Sequence, residues 1–236
     1  MSIYQPLRIY DRKSGAVVEF DRNGYLSKQV SEKTALHVGC CDWPLTESRI
    51  ESGQLLHGML CSSANSLVGI DLSTDGVRIL KKNGYSNVMI MDAEDLTLDS
   101  KFEVLVAGDV LEHMSNPGNF LAKAESVLEK DGTLIIGVPS ALTANNIRPW
   151  IRRDERVHVD HTFYFSPKTL AALCARYDFE PTKLIFTVQP ATVGESRAFL
   201  AFRRFLLSTI PTMSPSIIMQ FKRSADIDRS VFWIWE

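Results

Sequence analysis

Five short apolar segments, separated by segments with helical spacing, constrain the fold of this chain more than any other feature of its sequence. The five segments span residues 35–40, 66–71, 87–92, 102–108 and 132–139. Each is about as long as a buried parallel strand and is nearly continuous rather than alternating in polarity. Between them, apolar residues such as Phe120, Leu121 and Ala124 recur at helical steps. This alternation predicts a doubly wound α/β sheet with helices on both faces.

The segments on either side of this alternation are less regular and indicate three parts. We expect an N-terminal extension over residues 1–33, a domain over 34–203 and a tail over 204–236. Two further strand-like segments, 182–189 and 197–203, complete the predicted sheet. The tail could cover the core, contact a second copy of the chain or lie on a membrane surface. Its apolar and basic residues are Ile217, Ile218, Phe221, Phe232, Trp233 and Trp235, with Lys222 and Arg223.

Composition narrows the class of protein. The 236 residues are 45% hydrophobic and carry a net charge of −2, which suits one compact core and gives no sign of nucleic-acid binding. No apolar stretch approaches the ~20 residues that span a bilayer, and the N-terminus has no apolar signal-peptide core. The four cysteines form no spaced framework, since Cys40 and Cys41 are adjacent. We therefore expect reduced thiols in a cytoplasmic protein.

Glycine and carboxylates stand where predicted strands end, which is the sheet edge where this fold binds ligands. Gly39 ends the first strand and lets a ligand approach the backbone. Asp71 ends the second strand and is placed to accept hydrogen bonds from two ribose hydroxyls, although it could instead cap the next helix. Asp92 ends the third strand and precedes the small Ala93. These two could bind the amino edge of an adenine or form a solvated acidic turn.

The most specific pattern is the run DVLEH…NPGNFL…VLEKDGTLIIGVPS, which begins at Asp109. With the glycine and carboxylates of the earlier strands, it resembles the class I S-adenosylmethionine (SAM)-dependent methyltransferases over residues 34–203. The resemblance implies an α/β, Rossmann-like doubly wound sheet of seven strands, mostly parallel with one antiparallel strand. It also implies S-adenosyl-L-methionine as cofactor and S-adenosyl-L-homocysteine (SAH) as product. The segments LHVGCCDWPLTESRI and HVDHTFYFSPKTLAALC look more narrowly like a bacterial group often associated with cell-surface glycan assembly.

The resemblance also implies which residues bind the cofactor. They are Gly39 (with Cys40 and Asp42) toward the methionine end, Asp71 (with Leu72) at the ribose, Asp92 and Ala93 (with Glu94) at the adenine, and Gly108 and Asp109 beneath the sulfonium. The sequence departs from the common form of the family at Cys41 and Trp43, where further glycines usually stand. Side chains there would crowd the methionine portion, so that either the loop is displaced or cofactor binding is weak or lost. We expect displacement, because the carboxylates are retained.

Three histidines are candidates for the base that a hydroxyl acceptor requires. We rank His161 first, His158 second and His113 third, with Asp160 placed to orient one ring. The alternative is a loop lock, in which ring nitrogens bond to the backbone. A further interpretation is that these residues form a site for a divalent ion. Its ligands would come from Asp109, Glu112, His113, His158, Asp160 and His161. No segment has a strict ligand spacing, so we predict no metal.

These features predict a SAM-dependent methyltransferase that methylates an oxygen of a sugar or glycan intermediate or of another small-molecule hydroxyl. The alternatives are N- or C-methylation of a small metabolite and a non-catalytic binding module in a biosynthetic complex. Cys41 and Trp43 favour the binding module. The arginines of a basic loop either form a solvated surface or bind an anionic acceptor. These arginines are Arg148, Arg152, Arg153 and Arg156.

Overall fold

The computed structural model describes residues 17–143, 146, 149, 151–154, 157–188 and 197–224. Several residues of the predicted basic loop and tail lie outside the described residues, namely Arg148, Arg156, Phe232, Trp233 and Trp235. The described strands are β1 (Val17–Glu19), β2 (Thr34–Val38), β3 (Ser66–Asp71), β4 (Val88–Ile90), β5 (Phe102–Gly108), β6 (Leu128–Pro139), β7 (Phe179–Thr187) and β8 (Ser216–Arg223). They form one eight-stranded sheet with the order β1-β7-β8-β6-β5-β2-β3-β4.

Helices connect most of these strands. The described α-helices are α1 (Arg22–Gln29), α2 (Thr46–Glu51), α3 (Leu56–Ser63), α4 (Thr74–Lys82), α5 (Pro117–Val127), α6 (Pro167–Ala175) and α7 (Arg197–Thr209). Local sequence sets their starts: Ser166 forms a capping box with Thr169 ahead of α6, and Pro167 occupies the first turn. Helix α4 ends before Gly84, whose φ is +92°. None of the helices in the described ranges is long and apolar enough to cross a membrane.

The sheet is parallel except at β8, which runs antiparallel to both β6 and β7. This confirms the predicted mostly parallel sheet with one antiparallel strand. From β2 the chain builds outward through β3 and β4, and it then returns to the other side of β2 with β5. The topological switch point therefore lies between β2 and β5. Strand β8 also holds α1, because Gln220 Nε2 lies 2.7 Å from Tyr25 Oη and 2.8 Å from Gln29 Oε1.

Both faces of the sheet are covered, as predicted. Alternate residues of β5 belong to different cores, since successive strand side chains point to opposite faces. Leu105 and Ala107 pack with residues of α5 and α6. Val104 and Val106 pack with residues of α1 and α3.

Two predictions about strands are wrong. Residues 197–203 begin helix α7 rather than a strand, because RAFLAFRRFLLST consists largely of good helix formers and contains a single β-branched residue. The sheet instead takes β8 from the predicted tail and β1 from the predicted N-terminal extension, which gives eight strands rather than seven. The buried apolar residues of β8 include Ile217, Ile218 and Phe221.

Candidate functional site

An open cavity of about 790 Å³ lies at the switch point, beyond the carboxyl ends of β2, β3 and β5. Its volume falls within the range of small-molecule sites, about 300–1,000 Å³. The strand ends contribute Gly39, Asp71, Gly108 and Asp109 to its wall, and the candidate catalytic residues contribute His113, His158 and His161. The structure therefore brings together residues from the predicted cofactor set and from the predicted catalytic set.

Asp71 is held in place by two backbone N–H groups. Its Oδ2 accepts a hydrogen bond from Cys41 N at 2.8 Å, and its Oδ1 accepts one from Ser73 N at 2.8 Å. A carboxylate oxygen can accept more than one hydrogen bond, so both oxygens keep capacity for hydroxyl donors from the cavity. The cap of α4 is Ser73, whose hydroxyl accepts from Gly76 N. Asp71 is therefore not needed as the cap of α4, and its carboxylate can accept hydrogen bonds from a ligand in the cavity.

The loop after β2 turns the Cys41 side chain away from the cavity. Cys41 is buried against α4, where a Cβ added to Gly76 would lie only 2.7 Å from Cys41 Cβ. Gly39 makes the turn with φ +74°, and a side chain there would lie 2.4 Å from Val110 Cγ2. Trp43 remains in the cavity wall and is 50% exposed. The side chain of Cys41 therefore lies outside the cavity wall, and the small Gly76 makes room for it. Displacement of the loop from the common form of the family stays a prediction.

The residues predicted at the adenine lie on a separate turn after β4. Asp92 Oδ1 accepts a hydrogen bond from Glu94 N at 2.8 Å. The Glu94 carboxylate accepts from Ser115 N at 2.7 Å and Asn116 N at 2.9 Å, which ties this turn to the one that follows β5. Among the described residues, the cavity wall includes Cys40, Asp42 and Leu72 but not Asp92, Ala93 or Glu94. The adenine roles stay predictions.

A buried arginine in the cavity wall, Arg22, was not predicted from the sequence. Arg22 is 8% exposed, and its Nη2 lies 2.9 Å from Asp109 Oδ2. The contact has the distance of an ion pair but not the angle of a hydrogen bond, and Arg22 Nε has no partner among the described residues either. Asp109 has φ +55°, a strained value for a residue with a side chain. A buried guanidinium with unused donors on a cavity is suited to an anionic group.

The turn after β5 anchors the loop that carries two of the candidate catalytic histidines. Thr162 N donates to Glu112 O at 2.8 Å, and Thr162 Oγ1 donates to Met114 O at 2.7 Å. The Glu112 carboxyl is buried, and its burial and the nearby Asp109 raise its pKa to about 8. Thr162 thus ties the loop to the turn after β5 through its backbone and its hydroxyl. One contact of the predicted loop-lock kind exists, between Asp160 N and His158 Nδ1 at 3.4 Å.

This anchoring gathers the three candidate catalytic histidines. The ring centroid of His161 lies 4.6 Å from that of His113 and 4.9 Å from that of His158. His113 and His158 are exposed, whereas His161 is half-buried. Burial and the two neighbouring rings lower the pKa of His161. The structure thus places all three residues at one point of the cavity wall.

A pair of buried histidines, separate from the three above, was not predicted from the sequence. One signal for it was His37, a histidine inside the apolar segment 35–40, where apolar residues are usual. His37 of β2 and His57 of α3 are 2% and 1% exposed, and their Nδ1 atoms lie 3.2 Å apart. Burial lowers the pKa of His57 to about 4. Burial, His57 and Arg22 lower the pKa of His37 well below its usual range. Both rings are therefore neutral at neutral pH, with one Nδ1 donating to the other.

We expect acid to destabilise the protein through this pair. The folded pKa of His57 is depressed from 6.5 to about 4, so its contribution to stability is present above pH ~6.5 and is lost as the pH falls toward ~4. Linkage gives a loss of about 2 kcal/mol between pH ~7 and ~5. Urea unfolding at both pH values measures it. A His57→Gln variant should lose less stability on acidification than the wild type, and an equal loss would contradict the prediction. His158→Gln, at an exposed histidine, is the control.

Comparison with known proteins points to one family. Residues 52–184 match the sequence model of the family described as Methyltransferase domain. A ubiquinone biosynthesis O-methyltransferase from Glaesserella parasuis is 21% identical over 199 residues, which cover 77% of this chain and 78% of that protein. Matches to further curated relatives span 40–54% of their own length.

Two solved structures illustrate the similarity of fold. A TehB-like SAM-dependent methyltransferase from Corynebacterium glutamicum superposes with a TM-score of 0.55 at 13% identity, covering 87% of this chain and 88% of that one. Magnesium protoporphyrin IX methyltransferase from Synechocystis PCC 6803, with bound SAH, gives a TM-score of 0.54 at 14% identity, covering 86% and 80%. At such identities the likeness establishes a shared fold.

Proposed function

Because this chain belongs to the methyltransferase domain family and is a SAM-dependent enzyme, we propose that it methylates a hydroxyl oxygen of a small molecule. The observation that supports oxygen is the convergence of His113, His158 and His161 on the cavity that also contains Asp71 and Asp109. A hydroxyl must lose its proton as the carbon–oxygen bond forms, and imidazole is the side chain that accepts a proton near neutral pH. Within this class we propose a sugar or glycan intermediate as the acceptor.

The cavity offers groups that fit two parts of the cofactor. When bound, SAM supplies a methyl group on a positively charged sulfur. Asp71 would accept hydrogen bonds from the ribose hydroxyls through the unused capacity of its two oxygens. Arg22 would pair with the carboxylate of the amino-acid end, because its guanidinium is buried, has unused donors and lies in the cavity wall. Gly39 lines the cavity and would contact the methionine end of the cofactor, and Asp92 with Ala93 remains the proposed adenine site.

The acceptor atom is tested directly by an acceptor screen. The protein is incubated with SAM and a matched panel of sugars, phenols and amines, and products are detected as a mass gain of one methylene group. We expect methylated sugars or other hydroxyl compounds, with fragmentation placing the methyl on oxygen. Products methylated only on nitrogen or carbon would reject the oxygen assignment. SAH binding without transfer to any acceptor would favour the non-catalytic binding module.

Charge on the acceptor is a further part of the proposal. Arg152 and Arg153 of the basic loop are exposed in the structure, and guanidinium groups bind phosphate and carboxylate readily. The same screen therefore includes phosphorylated and neutral forms of one sugar. A lower KM for the phosphorylated form supports an anionic acceptor, whereas equal KM values count against it.

A further inference from the structure

The three cavity histidines come from two separate segments, yet they present their nitrogens to one space. His113 lies on the turn after β5, and His158 and His161 lie on the loop before α6. One ring nitrogen from each lies within 4.8 Å of the other two. We propose that His113, His158 and His161 together bind one divalent transition-metal ion of the zinc class at the edge of the cofactor cavity.

The distances suit such an ion after small ring rotations. A tetrahedral zinc site with bonds of about 2.0–2.1 Å separates its ligand atoms by about 3.3 Å. The three nitrogens already lie within 4.8 Å of one another, and the exposure of His113 and His158 leaves solvent space into which their rings can rotate. The backbone beneath them is fixed, because His161 N donates to His158 O at 3.0 Å and Thr162 holds the loop to the turn after β5. The cluster is therefore close to a ligand set on a rigid support.

The ring nitrogens of the three histidines have lone pairs that can bind a metal ion. Within the described part of the chain, the ring nitrogens of His113 and His161 make no hydrogen bond, and that of His158 has only the 3.4 Å contact with Asp160 N. The His113 ring packs edge to face on His158 and His161, whereas the rings of His158 and His161 are tilted by 36° to each other. A shared cation would take up one lone pair from each ring. Asp109 and Asp160 line the same cavity, and their negative charges favour a cation there.

The ligand type selects the metal. Imidazole nitrogen suits zinc, copper, nickel and iron, whereas magnesium and calcium prefer oxygen ligands. Three protein ligands leave a fourth position for water or a substrate atom, as in catalytic zinc sites. For the occupant of that position the inference rests on the proposed function, since it would be the hydroxyl oxygen of the acceptor.

Metal binding and the base role exclude each other at any one nitrogen. A nitrogen whose lone pair binds the ion has no lone pair left to accept a proton. The metal-loaded chain would hold the acceptor oxygen through the ion, whereas in the metal-free chain His161 would contact it directly. Zinc binding, measured without cofactor or acceptor, separates the two.

The test is a calorimetric titration of the metal-free full chain with Zn²⁺. We expect one Zn²⁺ per chain. We also expect the affinity to fall by at least about tenfold in each of His113→Ala, His158→Ala and His161→Ala, since even residues that only support a ligand matter this much. Val159→Ala is the matched control, because this residue lies between two of the ligands and is 93% exposed. It should bind Zn²⁺ as the wild type does, and the spectrum of the Co²⁺ form should change only in the histidine variants.

Two results would overturn the proposal. One is a wild-type chain that binds no Zn²⁺. The other is binding that survives all three histidine substitutions, which would place the ion elsewhere, for example at the group formed by Cys40, Cys41 and Asp71. SAH binding, measured on the same samples, reports separately on the cofactor site. Zinc binding with no methyl transfer to any hydroxyl would count against the proposed function alone.

Discussion

In the metal-free chain, a His161→Ala variant is expected to transfer methyl groups about 10²–10⁴ times more slowly than the metal-free wild type, which is the usual contribution of a general base. His161 is the least exposed of the three cavity histidines and packs against both others. Its ring is therefore the one best shielded from water when it contacts an acceptor. His158→Ala and His113→Ala should have smaller effects, because those rings are exposed. The measurement is single-turnover transfer to the best acceptor, followed by mass spectrometry.

Val159→Ala keeps the loop and its anchor and should retain wild-type turnover. SAH affinity should not change in any of these variants, since the imidazoles are proposed to act on the acceptor.

A chelator distinguishes the two roles of the cluster. It abolishes transfer if an ion holds the acceptor, and it has no effect if His161 acts as a free base. Wild-type turnover in both His161→Ala and His158→Ala would reject a catalytic role for this cluster.

An Asp71→Ala variant is expected to bind SAH at least about 100-fold more weakly. Two hydrogen bonds from ribose hydroxyls to a carboxylate contribute about 1.5–3 kcal/mol each, and 1.4 kcal/mol corresponds to about tenfold in affinity. Asp71 also holds Cys41 N and Ser73 N, so its loss also loosens the loop that contains Cys41. Calorimetric titration with SAH measures the effect.

Asp75→Ala provides the matched control, because Asp75 is an exposed carboxylate on the first turn of α4 and pairs with Arg78. Asp71→Asn keeps the shape and one acceptor oxygen, so its loss of affinity should be intermediate. Thermal unfolding confirms that each variant is folded. A folded Asp71→Ala chain that binds SAH as tightly as the wild type would reject the ribose role.

Sequence alone predicts the part of this site that depends on where strands end. Continuous apolar segments specify β2, β3 and β5, and residues at their carboxyl ends must meet at one edge of a parallel sheet. The sequence therefore suffices to place Gly39, Asp71 and Asp109 at a common cavity. The anchored loop before α6 follows less directly, but DVLEH and HVDH each carry ionisable residues that packing alone does not explain.

The remainder depends on tertiary contacts that no local pattern contains. Arg22 begins a short helix far from Asp109 in sequence, and only the packing of α1 beside the switch point brings them together. The orientation of Cys41 depends on the small Gly76 of α4, the third helix after it in the chain. Helix α7 is an exception, because a local property decides it: residues 197–203 alone predict a strand, whereas helix propensity over the longer segment Arg197–Thr209 favours a helix.

The place of β8 has a consequence for the order in which the site assembles during synthesis. The strands that carry Gly39, Asp71 and Asp109 leave the ribosome well before β8, which then inserts between β6 and β7. Gln220 of β8 holds the helix that carries Arg22 through Tyr25 and Gln29. A nascent chain therefore has the strands that carry the predicted acidic cofactor contacts before it has the strand that holds the helix of Arg22. The hydrogen bonds that tie α1 to the sheet through Gln220 therefore form only after nearly the whole described chain has been translated.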